Sequence, residues 1–217
     1  MVNLSKKHLK MFGMNYLKYR YKMKLFEAKQ ILKKNGYRLV EDKYTDLMDA
    51  EDDYSETNDI ITVDYIDKDN YEDYIDKTLN VKDYVDLSEL GLTKLPIRFI
   101  KVDGKFDCSN NYLTTLEGSP KEVGGDFWCS DNKLTNLKEA PEKVGGFFDC
   151  SYNKLTNLKG APREVGGTFW CFRNELTSLE GAPEIVGNSF HCQNNEVQFT
   201  RDEVKDYCNV KGYIIVK

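Results

Sequence analysis

From residue 84 onward, apolar and polar positions recur with a fixed period. Asn111, Asn132, Asn153, Asn174 and Asn195 are 21 residues apart, with Cys108, Cys129, Cys150, Cys171 and Cys192 three residues before them. Phe106, Phe127, Phe148, Phe169 and Phe190 stand five before the asparagines, and Val102, Val123, Val144, Val165 and Val186 nine before. Leu113, Leu134, Leu155 and Leu176, with Val197 in the last copy, lie two after. Leu116, Leu137, Leu158 and Leu179 then close the unit, followed by Pro120, Pro141, Pro162 and Pro183. A weaker copy, "VDLSELGLTKLP", precedes these with Val85, Leu87, Leu92 and Leu95 in register, so about six units span residues 84–199. A period of this length means stacked supersecondary units.

The spacing has a mechanical reading. Phe-x-Cys is a two-residue alternation, which points both side chains to one face of a short strand. Asparagine then turns the chain, because its amide bonds neighbouring backbone at a bend. Leu-x-x-Leu fills the inside of an extended return, and proline with the Gly-Gly pair forbids a long helix there. Each unit is one coil of a solenoid: strand, turn, return.

The pattern "F-x-C-S-x-N-x-L-T-x-L-x-x-A-P" resembles the leucine-rich repeat core L-x-x-L-x-L-x-x-N-x-L-x-x-L, with Val, Phe and Cys at the first three leucine positions. The short unit and its L-T-x-L…P ending are similar to compact bacterial repeats of secreted effectors. The Phe, Cys and Gly-Gly content looks more like repeats encoded by bacteriophages and other large DNA viruses. The resemblance implies an α+β fold: a 21-residue leucine-rich-repeat solenoid with a parallel sheet, preceded by a small N-terminal α/β segment. It also implies a host-directed role, such as inhibition of a defence factor. A shared fold says little about the partner.

Five of the six cysteines form one inward column, one per coil, with neighbours about 4.8 Å apart along the sheet. Such thiols act as compact hydrophobes. No Cys-x-x-Cys pair exists, and the histidines, His8 and His191, complete no ligand set, so neither disulfides, metal nor any other cofactor is expected. A reduced column favours an intracellular, cytoplasmic setting. No run approaches a membrane span and no signal peptide is visible, so no membrane partner is expected.

The net charge of −5 hides a split. Residues 1–40 carry eleven Lys and Arg against Glu27, or +10, whereas residues 41–80 carry fifteen acids against three lysines, or −12. Within the basic segment, 25–34 is spaced as a helix, Asn35-Gly36 stops it, and "YRLVE" is a strand. The stretch "MKLFEAKQILKKNGYRLVED" resembles the opening of many small phage proteins, which makes residues 1–22 an added basic leader. Those residues interleave lysines with Phe12, Tyr16, Tyr19 and Tyr21. This reads either as nucleic-acid binding through residues 1–34 or as an amphipathic helix with solvated lysines. Residues 41–83 are acidic and tyrosine-rich, either a mimic of a nucleic-acid backbone or a solvated cap and linker. Within them Ile60–Val63 suits a strand and residues 71–79 a short helix. At the far end, Thr200 and Glu203 have capping-box spacing, so 200–217 form a cap helix and strand over the open end.

With Phe and Cys inward, the residue between them faces outward: Asp86, Asp107, Trp128, Asp149, Trp170 and His191. Asp126 and Phe147 flank this column on one side and Phe172 on the other, with Tyr152 and Arg173 just beyond. Exposed aromatics with a polar rim are the composition of protein hot spots. The expected partner-binding residues are therefore Trp128, Trp170, Phe147, Phe172, Tyr152, Arg173, Asp107, Asp126, Asp149 and His191. The bland alternative is that the two tryptophans merely shield each other across the coil between them. No nucleophile, base or metal set is visible, so a protein-binding module rather than an enzyme is expected. Nucleic acid is the second partner class. The oligomeric state stays open.

Overall fold

The computed structural model describes residues 60–217, so the expected elements of residues 1–40 and the acidic stretch to residue 59 lie outside the described residues. From Ile60 the chain is a parallel β-solenoid of about 7 turns. Each coil contributes a strand to two separate parallel ladders rather than to one. The first, a valine sheet, has eight strands, with Ile60–Val63, Thr78–Val81 and Arg98–Val102 leading. It continues through Glu122–Val123, Lys143–Val144, Glu164–Val165 and Ile185–Val186 to Asn209–Val210. The second, a phenylalanine sheet, has seven strands. They are Val85–Asp86, Phe106–Asp107, Phe127–Trp128, Phe148–Asp149, Phe169–Trp170, Phe190–His191 and Ile214–Ile215.

The Phe, Cys, Val and Leu columns are the core and are buried, except at the two ends of the leucine column, where Leu92 is half-buried and Val197, expected in register with the leucines, is exposed. Phe106, Phe127, Phe148, Phe169 and Phe190 form a continuous stack with ring centroids 5.2, 5.3, 5.4 and 5.1 Å apart. Offset stacking of this kind adds to the area each ring buries. The five column cysteines and Cys208 are all free and buried. The asparagines form a second ladder, which ties coil to coil. Asn153 Nδ2 donates to the carbonyl of Cys129 one coil back (3.0 Å), while its Oδ1 accepts from Leu134 N (2.9 Å). Asn132 and Asn174 repeat both bonds.

The glycine pairs do more than break helices. A Cβ on Gly145 would lie 2.1 Å from the carbonyl oxygen of Gly124, so the corner between the sheets closes only where no side chain intervenes.

Both ladders extend past the repeats seen in sequence. Ile60–Val63 is the expected strand, and Ile66 bridges to Val85. The helix expected over residues 71–79 is instead one 3-10 turn, Tyr71–Tyr74, followed by the strand Thr78–Val81. Asp76, at φ 62°, breaks the helical path, and Leu79 and Val81 then point into the core. The C-terminal helix Arg201–Tyr207 carries the expected capping box. Thr200 Oγ1 accepts from Glu203 N (3.2 Å), and Thr200 N donates to Glu203 Oε2 (2.7 Å). Val204 plugs the helix into the core, and Asn209–Val210 and Ile214–Ile215 end the two ladders. No helix among the described residues is long and apolar enough to cross a membrane.

Candidate functional site

The exposed sides of the two sheets differ in chemistry. On the valine sheet, Lys101, Glu122, Lys143 and Glu164 follow one another in register, and exposed pairs such as Lys143–Glu164 (3.3 Å) and Arg163–Glu184 (2.8 Å) neutralise it locally. Such pairs contribute about 0–1 kcal/mol each. On the phenylalanine sheet the register runs Asp86, Asp107, Trp128, Asp149, Trp170, His191, as the two-residue alternation predicts.

Trp128 and Trp170 do not touch each other across a gap, because Asp149 lies between them, paired in register with both. Each tryptophan is instead covered by the side chain 23 residues earlier. Phe147 lies against Trp170 (centroids 5.7 Å), and Lys105 Nζ sits over Trp128 (5.3 Å). His191 packs edge-on to Trp170 at 6.2 Å. Along one border Tyr152 meets Phe172 edge to face at 5.5 Å, and the Arg173 guanidinium lies over the Tyr152 ring at 5.2 Å. Phe147 and Tyr152 stay 37% and 42% exposed, too much for core residues of their size. Asp126 is held in place by accepting from Phe147 N (2.8 Å). The ten residues named from sequence thus share one face, and six of them form two contacting groups, Phe147–Trp170–His191 and Arg173–Tyr152–Phe172.

Lys105 and Tyr84, which the register puts in one row with Asp126 and Phe147, also belong here. Lys105 Nζ bridges Trp128 and Tyr84 (5.8 Å), and Tyr84 stacks on Tyr65 at 5.5 Å. Register carries the signal for Lys105, which stands to Trp128 as Phe147 stands to Trp170.

Tyr152 and Arg173 have φ of 53° and 52° at a turn where other coils place Glu89, Asn110, Asp131 and Asn194. The left-handed region suits Asn and Asp and costs other side chains about 1–2 kcal/mol.

The carboxylates differ among themselves. Asp107 and Asp149 each accept from the backbone N–H and hydroxyl of the serine two residues on, Ser109 and Ser151. Burial nonetheless pushes the Asp149 carboxyl above its ordinary value, outweighing its serine bonds. At Asp86 the opposite balance holds: burial is outweighed by Ser88 and by Lys68 and Lys105, leaving the carboxyl low. Burial also lowers the His191 imidazole, which stays neutral at pH 7. Among the described residues, no group of three or more His, Cys, Asp or Glu is placed to hold a metal ion. No protein family, no curated protein and no solved structure matches the chain.

Proposed function

We propose that the protein is a non-enzymatic binding module whose partner is another protein, held on the exposed side of the phenylalanine sheet. The single observation that carries this reading is that one face holds two aromatic pairs, Phe147 with Trp170 and Tyr152 with Phe172, with Asp149 in register beside Trp170 and Arg173 over Tyr152, whereas the middle coils of the valine sheet carry Lys–Glu pairs. Aromatic anchors with an Arg and a polar rim are the composition of binding hot spots. A solenoid supplies the extended, rigid surface such contacts need.

The ladder of asparagines, each bonding the previous coil, supports reading these coils as leucine-rich repeats. The resemblance to phage-encoded repeats makes a bacterial host protein, such as a defence factor, the partner to seek first. The decisive comparison uses a protein captured from bacterial lysate by the full chain. Trp128→Ala or Trp170→Ala should weaken its binding at least about thirtyfold, near 2 kcal/mol, with circular dichroism unchanged. Removal of residues 1–22 should matter much less. Loss of binding on that deletion, with both tryptophan variants binding normally, would move the working surface to the basic leader and favour a nucleic-acid reading.

A further inference from the structure

The order of chemistry along the face sets the shape of its ligand. Reading along the solenoid axis, acid and aromatic alternate: Asp107, Trp128, Asp149, Trp170. Neighbouring parallel strands lie about 4.8 Å apart, so like groups recur every two coils, about 9.6 Å. An extended strand repeats its side-chain direction every ~6.8 Å and falls out of step at once. An α-helical heptad advances ~10.5 Å, overshooting by about 0.9 Å per repeat while its stripe also drifts around the axis. A polyproline II helix turns once in 3 residues of ~3.1 Å, about 9.3 Å, and stays in step across the whole face.

The chain's own cations show what these groups accept. Lys105 sits over Trp128, and Arg173 over Tyr152. Asp107 and Asp149 take part in none of the ion pairs formed among the described residues. Asp149 is the more demanding of the two, being flanked by both tryptophans and partly desolvated. A carboxylate in that setting is best matched by an incoming guanidinium.

We infer that the face binds a basic, proline-rich segment in polyproline II conformation, lying along the solenoid axis. An Arg at every third residue meets Asp107 and then Asp149, and the prolines between them pack on the aromatic surface beside those carboxylates, the edge of Trp128 left by Lys105 and the exposed Phe147 that covers Trp170. Aromatic-lined surfaces recognise such segments because the ligand is already extended and little ordering entropy is lost on binding. This inference rests on the proposed protein-binding face and specifies its ligand.

The test titrates the full chain with a blocked peptide of three Arg-Pro-Pro repeats at physiological salt. Two peptides of equal charge serve as controls: three Arg-Gly-Gly repeats, and a helical peptide with Arg seven residues apart. Both tryptophans of the protein lie on this face, so their fluorescence reports occupancy directly. Calorimetry gives affinities where a variant removes one of them. The Arg-Pro-Pro peptide is expected to bind saturably and at least about tenfold more tightly than either control. Asp149→Asn and Asp107→Asn, which keep the acceptor for the serines, should each weaken it about tenfold, and Lys143→Met on the opposite sheet should leave it unchanged. Equal affinity for the glycine peptide, or tighter binding of the helical one, would overturn the inference, as would no saturable binding of Arg-Pro-Pro. If Arg-Pro-Pro fails while Trp170→Ala still abolishes capture of the lysate protein, this inference alone falls. If Trp170→Ala affects neither, the face itself is wrong.

Discussion

Asn153→Ala tests how the coils are held together. The side chain bridges two backbone groups of the preceding coil: Oδ1 accepts from Leu134 N, and Nδ2 donates to the Cys129 carbonyl. It also bonds the Cys150 and Ser151 carbonyls within its own turn. Leu134 N has no other partner among the described residues, and the site is buried, so truncation orphans that N–H. The carbonyls of Cys129, Cys150 and Ser151 each keep a second donor, Asn132 Nδ2, Asn174 Nδ2 and Asp131 N. One orphaned buried donor costs about 1–3 kcal/mol, which is the net loss expected. For a described unit of this size that corresponds to a fall in Tm of about 2–12 °C. Urea titration followed by circular dichroism measures it, with Lys154→Ala as a control at an exposed neighbouring position, expected within about 0.5 kcal/mol of the parent. If Asn153→Ala were as stable as Lys154→Ala, the ladder would be decoration and the coils would be held by the Phe and Leu columns alone.

Three further outcomes follow from the same packing. Gly145→Ala should cost about 3 kcal/mol or more, because its Cβ would collide with the backbone of Gly124, and thermal unfolding would show it. Tyr152→Asn should raise stability by about 1 kcal/mol by relieving the left-handed backbone, while weakening partner binding; a loss of stability would mean that the Tyr152 backbone is not strained. Burial pushes the Cys208 thiol up to about 11 and the Cys192 thiol up to about 12, and raises Cys150 well above its ordinary 9.0. Above pH 9 the unfolded chain therefore sheds thiol protons that the folded chain keeps, so stability is full below that pH and falls as pH rises through it. Cys150→Ala should make this fall shallower by up to about 1.4 kcal/mol per pH unit, measured by urea titration at pH 8, 9 and 10. An unchanged slope would mean that Cys150 is not a buried thiol.

The phenylalanine sheet is legible in the sequence because Phe-x-Cys alternates and recurs at one spacing. The valine sheet is not, because strands such as Glu122–Val123 are two residues long with one buried side chain, too short to show alternation. The terminal coils hide for a different reason. Val186 pairs with Val210 and Phe190 with Ile214, steps of 24 rather than 21, and Val63 pairs with Val81, a step of 18. The capping box at Thr200 is local chemistry and could be read directly. The ten face residues fall out of the register, but their contacts do not. That Arg173 covers Tyr152 depends on both adopting a left-handed backbone that neither residue type prefers, and that Lys105 covers Trp128 depends on a diagonal between coils.

Site-specific photocrosslinking shows which sheet the partner contacts. A photoreactive phenylalanine analogue replaces Phe147 on the phenylalanine sheet or, in a second protein, Lys143 on the valine sheet, and each is illuminated with the partner captured from bacterial lysate. A covalent adduct from position 147 and none from position 143 is the predicted result. An adduct from position 143 alone, or equal adducts from both, would contradict it.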